Sequence, residues 1–269
     1  RPTRDRYIDN YRQSVRAMGE LGIPVLCYNF MPVFDWTRTD LSMAHPDGST
    51  SLSYDHDAVE KIDAAAGELN LPGWAARYTR EELLNLLEAY REVDDEALWK
   101  NLGYFLEAVV PAAEEAGVRM GIHPDDPPWP IFGLPRIVRN AGSLERLMGA
   151  VDSPANGVTF CTGSFGPSPG MDLIAAVGKY AAQGRVPFVH VRNIKMTGPL
   201  SFYETAHPTE CGDVNVYGIL KVLAEAGFDG VIRPDHGRMI WGETGRAGYG
   251  LYDRALGAMY LAGLWEGIN

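Results

Sequence analysis

Residues 118–128 read "VRMGIHPDDPP", and this stretch decides how the whole chain is interpreted. An apolar run leads directly to His123, and Asp125 and Asp126 follow between prolines. Because proline lacks a backbone N–H and has a fixed φ, the segment after His123 can be neither a helix nor a central strand. The pattern therefore predicts a strand that ends by presenting His123, Asp125 and Asp126 on a stiff loop.

Short runs of the same kind recur along the chain and alternate with segments of helical spacing. The predicted strands are residues 23–30, 118–123, 157–163, 186–193 and 230–236. The predicted helices are residues 3–22, 79–93, 95–117 and 212–230, and Thr79 with Glu82 fits a capping box. This alternation indicates a parallel sheet of βα units, which is typical of both α/β barrels and doubly wound sheets.

The residues at the predicted strand ends favour the barrel. The five strands end at or near Asn29, His123, Cys161, His190 and the Asp235–His236 pair. Reactive side chains that converge from several strand ends are typical of the catalytic face of a barrel. The sequence has no glycine-rich GxGxxG turn, which would favour a dinucleotide-binding sheet. We therefore predict an α/β fold of the TIM (β/α)8 type, as one domain over residues 1–269, with about five of the eight strands identifiable.

Composition limits the classes of function. A chain of 269 residues with 46% hydrophobic content can bury a substantial core, and its longest apolar runs are too short to span a membrane. The net charge of −11 argues against a nucleic-acid partner, which needs a basic face. Three widely spaced cysteines favour reduced thiols and hence a cytoplasmic protein.

Four of the strand-end residues make a complete ligand set for a divalent transition metal: His123, Cys161, His190 and Asp235. Each residue alone has a simpler interpretation, because a lone histidine usually packs, a free cysteine is usually buried and an aspartate often caps a helix. Together they occupy the same position in successive βα units, which places them around one barrel mouth. Sulfur and nitrogen ligands argue against Mg²⁺ and Ca²⁺ and leave Zn²⁺, Fe²⁺, Co²⁺ and Mn²⁺ open.

Cationic side chains lie beside these candidate ligands. Arg192 and Lys195 follow His190, and His236 and Arg238 follow Asp235. Cations at strand ends of an acidic protein indicate a small anionic substrate, held by a guanidinium that grips a carboxylate. The alternative for Arg192 and Arg238 is a structural salt bridge across the barrel rim. The other histidines, His45, His56 and His207, are predicted to be loop residues.

Several long motifs resemble one family of enzymes. They are "YNFMPVFDWTRTDL" (28–41), "GIHPDDPPWPIFGLPRIV" (121–138), "TFCTGSFG" (159–166), "HVRNIK" (190–195), "IRPDHGRMIWGE" (232–243) and "GYGLYDRALGAMYLAGLW" (248–265). Together they resemble the metal-dependent mannonate dehydratases of the xylose-isomerase-like barrel group, as distinct from the enolase-type enzymes. The resemblance implies dehydration of D-mannonate to 2-keto-3-deoxy-D-gluconate in hexuronate catabolism, with Mn²⁺ or Fe²⁺.

The resemblance also implies roles for individual residues. The family's metal ligands match His123, Cys161, His190 and Asp235, and its acid–base pair matches His236 and Tyr249. Its substrate-binding positions match Arg192, Asn193, Asn29, Asp125 and Arg238. The implied binding partner is a small sugar acid, and neither nucleic acid nor a membrane is expected. Whether the chain forms a homodimer is left open at this stage.

One departure concerns the number of strands. Five strand runs are present, a (β/α)8 barrel has eight, and family members start well before the residue that matches Arg1. We therefore expect the chain to correspond to the C-terminal part of the family's pattern, with unpaired edges in its sheet. The alternatives at this point are a metal-dependent sugar isomerase or epimerase of the same barrel group, and a truncated, non-catalytic metal-binding protein. A DNA-repair endonuclease of that group is disfavoured by the acidic charge.

Overall fold

The computed structural model describes residues 3–62 and 79–269. In chain order these residues form α1 (Arg4–Glu20), β1 (Val25–Tyr28), β2 (Asp40–Ala44), β3 (Thr50–Tyr54), α2 (His56–Glu60), α3 (Arg80–Tyr90), α4 (Asp95–Glu115), β4 (Arg119–Ile122), α5 (Ala141–Ala150), β5 (Asn156–Cys161), α6 (Thr162–Phe165), α7 (Leu173–Ala181), β6 (Phe188–Val191), β7 (Ile194–Gly198), β8 (Ser201–Glu204), α8 (Val216–Glu225), β9 (Val231–Pro234) and α9 (Leu251–Ile268). A short 3-10 turn covers Thr209–Cys211.

Five strands form a parallel sheet in the order β1-β4-β5-β6-β9. They coincide with the five strands predicted from the sequence. Each neighbouring pair is parallel, and the register aligns the strand ends, so that Cys161 pairs with His190 across β5 and β6. Among the described residues β1 and β9 each have one strand neighbour, so these five strands form an open, curved part of a barrel wall.

Capping side chains set where the helices begin. The predicted capping box is present at α3, where Thr79 accepts from the backbone N–H of Glu82 and the Glu82 carboxylate accepts from that of Thr79. Asp94 caps α4 by accepting from the backbone N–H of Ala97, without a reciprocal contact. At the other end of α4, Gly117 has a φ of +68°, which turns the chain directly into β4. Local chemistry thus positions the helices against the sheet.

Apolar side chains fill the space between the sheet and its helices. Helix α4 contributes the largest share, with Leu102, Leu106 and Val109 fully buried against the strands and α1. Strand β5 is buried along its whole length, as expected for a central strand of a parallel sheet covered on both faces. None of the helices in the described ranges has the length and apolar character that a membrane span requires.

A second sheet, which the sequence did not predict, lies beside the first. It is antiparallel in the order β2-β3-β8-β7 and consists of two hairpins, one inserted after β1 and the other after β6. The hairpins join through pairing of β3 with β8, where Tyr54 lies opposite Phe202. His45 and His56, predicted to be solvated loop residues, are partly buried at the ends of the first hairpin, and His207 is only 2% exposed.

Candidate metal centre and active site

The parallel sheet brings its strand ends together at one small cluster. His123 follows β4, Cys161 ends β5, His190 lies in β6 and Asp235 follows β9. One potential ligand atom from each of the four side chains lies within 4.8 Å of the others. The sequence placed these four residues around one barrel mouth, and the carboxyl ends of four neighbouring parallel strands bring them there.

The chemistry of these donors fits a metal ion. Both ring nitrogens of His190 are buried without a hydrogen-bond partner, an arrangement that native proteins rarely leave unexplained. Burial lowers the pKa of His190, which favours the neutral ring that binds metals. Burial alone would raise the pKa of Asp235, but His236 and Arg192 outweigh it and hold that pKa well below its usual range. The cluster therefore offers two imidazoles, one sulfur and one ionised carboxylate.

A cavity of about 190 Å³ opens beside this cluster at the same edge of the sheet. The lining residues that carry chemistry are Asn29, Asp35, Trp36, His123, Asp126, His190, Arg192, Arg233, Asp235, His236 and Tyr249. The His236 ring lies 5.3 Å from the ring of Tyr249 and 5.7 Å from that of Trp36, measured between centroids. A titratable pair, His236 and Tyr249, thus borders the same space as the candidate ligands.

Four buried charges form a network at the cavity, and two of them, Asp126 and Arg192, line it. Arg38 donates to Asp126 and to Glu204 at 2.7 Å each, and Arg192 donates to the same two acids at 2.6 and 3.1 Å. All four side chains are at most 5% exposed. Burial would raise the pKa of Glu204, but His236, Arg192 and Arg38 lower it to about 2. Two cations and two carboxylates therefore balance one another inside the protein.

The structure separates the predicted substrate-binding residues into two groups. Asn29 and Arg192 line the cavity. Asn193 instead donates to the carbonyl of Pro208 and accepts from two backbone N–H groups, and Asp125 accepts from the N–H of Val138. Arg238 grips Asp253 with two nitrogens and also donates to Asp47. These last three side chains are engaged in contacts within the protein and do not line the cavity.

Sequence reasoning did not single out Glu204, Arg38, Asp35 or Trp36. Arg38 and Glu204 reach the site only because the second sheet is built from segments that are far apart in the chain. Asp35 and Trp36 lie within the motif of residues 28–41, but nothing in their spacing indicates a cavity wall. The roles of these residues follow from contacts between distant segments, and a local pattern does not encode such contacts.

A comparison with protein families identifies the chain. Residues 1–269 match the family model described as D-mannonate dehydratase (UxuA). The chain belongs to the D-mannonate dehydratase family. This confirms the resemblance carried by the motifs around His123, Cys161, His190 and Asp235, and with it the assignment to hydro-lyases.

Curated members of the D-mannonate dehydratase family align along the whole chain. Mannonate dehydratase 2 of Halalkalibacterium halodurans is 54% identical over 269 residues, covering 100% of this chain and 78% of its own length. The mannonate dehydratase of Thermotoga petrophila is 51% identical, and 77% of its length is covered. Because these alignments cover the full chain, every candidate site residue lies within the aligned region.

Solved structures agree with the fold. The crystal structure of mannonate dehydratase from Streptococcus suis serotype 2 superposes with a TM-score of 0.91 at 46% identity, covering 100% of this chain and 73% of that one. A xylose isomerase-like TIM barrel protein from Mycobacterium smegmatis has a TM-score of 0.56 at 14% identity, covering 98% of this chain and 69% of that one, and it supports the fold alone. The predicted barrel class is therefore confirmed for this member of the D-mannonate dehydratase family.

Proposed function

We propose that this chain dehydrates D-mannonate to 2-keto-3-deoxy-D-gluconate with a divalent metal ion, held by His123, Cys161, His190 and Asp235. One observation carries the proposal. Four potential ligand atoms lie within 4.8 Å of one another, and three of their residues line the same cavity as the His236–Tyr249 pair, in a member of the D-mannonate dehydratase family. An acid–base pair beside a Lewis-acid site is what elimination of water from a hydroxy acid requires.

The donor set supports a transition metal, and we propose Mn²⁺ or Fe²⁺. A thiolate and two imidazoles are poor ligands for Mg²⁺ and Ca²⁺, which prefer oxygen. When bound, the ion would supply Lewis acidity that polarises a substrate oxygen. The hydroxyl of Ser164 lies 3.2 Å from Cys161 Sγ and donates to it, a contact that helps to fix the position of the sulfur beside the other three donors.

His236 and Tyr249 are the proposed proton-transfer groups. Dehydration removes the proton at C2 of the sugar acid and protonates the hydroxyl that leaves C3. Each of these two steps is worth about 10²- to 10⁴-fold in rate when a positioned side chain performs it. Both rings line the cavity with their centroids 5.3 Å apart, so one substrate can contact both.

Substrate binding is proposed for Asn29 and Arg192, which line the cavity. Asn29 offers an amide for sugar hydroxyls, and Arg192 offers positive charge near the substrate carboxylate. For Asn193, Asp125 and Arg238 the contacts favour an indirect contribution, in which they hold the loops that surround the cavity.

Three broader expectations belong to the same proposal. Residues 1–269 are proposed to form one α/β barrel domain. A cytoplasmic location is supported by the three cysteines, which are all free thiols. A homodimer is the proposed assembly, and light scattering of the purified protein measures it directly.

The test is to incubate the purified protein with D-mannonate in the presence of Mn²⁺ or Fe²⁺ and to identify the product by mass. Loss of one water with formation of a 2-keto acid supports the proposal. A product of unchanged mass would instead indicate an isomerase or epimerase of the same barrel group. A His123→Ala variant is the matched control, because it removes one proposed ligand and leaves His236 and Tyr249 in place.

A further inference from the structure

The second sheet delivers one carboxylate to the His236 ring. Glu204 ends β8, and its two oxygens lie 2.9 and 2.8 Å from Nδ1 of His236. Both side chains are 5% exposed. When one ring nitrogen of a histidine donates to a buried carboxylate, that contact fixes the orientation of the ring and the position of its proton.

We propose that Glu204 is a positioning residue that holds His236 with Nδ1 protonated and turned away from the cavity, so that Nε2 is the nitrogen that faces the substrate. This inference rests on the proposed function of His236 as a proton-transfer group. It assigns to the antiparallel sheet a role in the reaction that the barrel strands alone do not provide.

The hydrogen-bond chemistry decides which nitrogen carries the proton. Arg38 and Arg192 both donate to Glu204, which keeps it ionised and able only to accept. An unprotonated Nδ1 would set a nitrogen lone pair against two carboxylate oxygens in a buried site, which is costly. Arg192 Nη1 also lies 3.0 Å from Nδ1, but this guanidinium has acceptors in Glu204 and Asp126. The Nδ1–H donor to Glu204 therefore satisfies all three groups.

The other ring nitrogen has no such partner. Across the described ranges, Nε2 of His236 makes no hydrogen bond, and Oδ2 of Asp235 lies 4.0 Å from it. The rings of Trp36 and Tyr249, which line the cavity together with His236, lie 5.7 and 5.3 Å from the imidazole between centroids. Nε2 is thus the nitrogen available to a molecule in the cavity.

Rigid elements hold Glu204 in place. Strand β8 pairs with β7 on one side and with β3 on the other, and Ile194 in β7 lies opposite Glu204. Arg38, just before β2, donates to Glu204 from a second hairpin through both Nε and Nη2. A carboxylate fixed from two hairpins restricts the ring more strongly than a loop residue does.

A competing explanation is that Glu204 only balances the charge of Arg38 and Arg192. The two explanations differ when charge balance is restored without the carboxylate. Glu204→Gln alone leaves an excess buried cation and is expected to destabilise the fold. Glu204→Gln combined with Arg38→Gln removes one charge of each sign, which leaves Arg192 paired with Asp126.

The first experiment compares this double variant with Arg38→Gln alone, at matched folded fraction and measured metal content. We expect the double variant to recover thermal stability relative to Glu204→Gln. Its kcat should nevertheless lie at least about tenfold below that of Arg38→Gln, with KM and metal content similar, because the loss falls on proton transfer. A double variant that turns over like Arg38→Gln would assign Glu204 to charge balance and overturn the proposal.

The second experiment observes the ring itself and needs no turnover. The chain has six histidines, so ¹⁵N-histidine labelling of the zinc-loaded protein gives a simple ring spectrum, and His236→Asn identifies the His236 signals. Because both oxygens of Glu204 lie within 2.9 Å of Nδ1, we expect this nitrogen to carry a proton. A ring protonated on Nε2 alone would contradict the inference. If the parent protein forms no 2-keto acid but the ring carries its proton on Nδ1, the proposed function fails and the assignment of Glu204 as the ring's anchor stands.

Discussion

Oδ2 of Asp126 lies 2.6 Å from Nη2 of Arg192, and both side chains are at most 2% exposed. Asp126, the second aspartate after His123, therefore forms an ion pair with Arg192, which borders the proposed substrate site. Arg38 donates to the same carboxylate at 2.7 Å. Asp126 thus links the loop after β4 to Arg192 after β6 and to the segment before β2.

Because Arg192 is paired with buried acids, its loss should lower the stability of the protein. Arg192→Ala would leave Asp126 and Glu204 with one arginine between them, so we expect a loss of about 3–5 kcal/mol in the free energy of unfolding, the usual scale for breaking a buried ion pair. Denaturant titration measures it. The matched control is Arg146→Ala, which removes an exposed two-nitrogen contact with Glu96 and should cost far less. Equal losses of unfolding free energy in the two variants would show that the buried network contributes no more to stability than an exposed ion pair.

Metal removal should abolish activity. Exhaustive chelation is expected to stop dehydration of D-mannonate, and Mn²⁺ or Fe²⁺ should restore it. Cys161→Ser should bind metal more weakly, because a hydroxyl is a far poorer anionic ligand than a thiolate. Metal quantified per protein chain is the measurement, with Cys211→Ser as the control, since Cys211 is an exposed thiol. Full turnover after chelation would rule out the proposed metal site.

His236→Asn should separate chemistry from binding. Asparagine keeps a hydrogen bond to Glu204 but cannot transfer a proton near neutral pH. We expect kcat to fall by about 10²-fold or more, with metal content and KM close to those of the parent. Steady-state kinetics with metal analysis provides the test. Loss of the metal in this variant would show that His236 acts on the ligands instead.

Helix α9 should be sensitive to size at Gly257. A Cβ at this position would lie 2.5 Å from Nδ1 of the buried His207, whereas one at Gly263 in the same helix would meet nothing within 4 Å. We expect Gly257→Ala to destabilise the protein by about 1–3 kcal/mol through overpacking. Gly263→Ala should stabilise it by up to about 1 kcal/mol, since alanine is the better helix former. Thermal melts of the pair measure both effects, and equal shifts would show that His207 moves freely.

Acid should lower the stability of the folded protein through protonation of Glu204. Its pKa is lowered from the ordinary 4.5 to about 2, because His236, Arg192 and Arg38 outweigh the effect of burial. A lowered folded-state pKa contributes stability above pH 4.5, and this contribution disappears as the pH falls from 4.5 through 2. We expect a loss on the order of a few kcal/mol over that interval. In the Glu204→Gln and Arg38→Gln double variant the slope of stability against pH should be smaller, and an unchanged slope would assign the acid sensitivity to other carboxylates.

Much of the fold could be predicted from local pattern. The five parallel strands and the capping box at Thr79 follow from periodicity and short-range chemistry, which the order of residues encodes directly. The antiparallel sheet could not be predicted in this way. Pairing of Tyr54 with Phe202 joins segments that are far apart in the chain, and no local pattern encodes such a contact.

For the site, the sequence by itself determined the cluster of His123, Cys161, His190 and Asp235, because the carboxyl ends of neighbouring parallel strands must meet at one edge. Only the tertiary structure decided that Arg192 is paired with buried acids and that Glu204 reaches His236. Those contacts depend on how two inserted hairpins fold onto the barrel mouth. Burial then decides their chemistry, because a charge removed from water must find its partner wherever the chain brings one close.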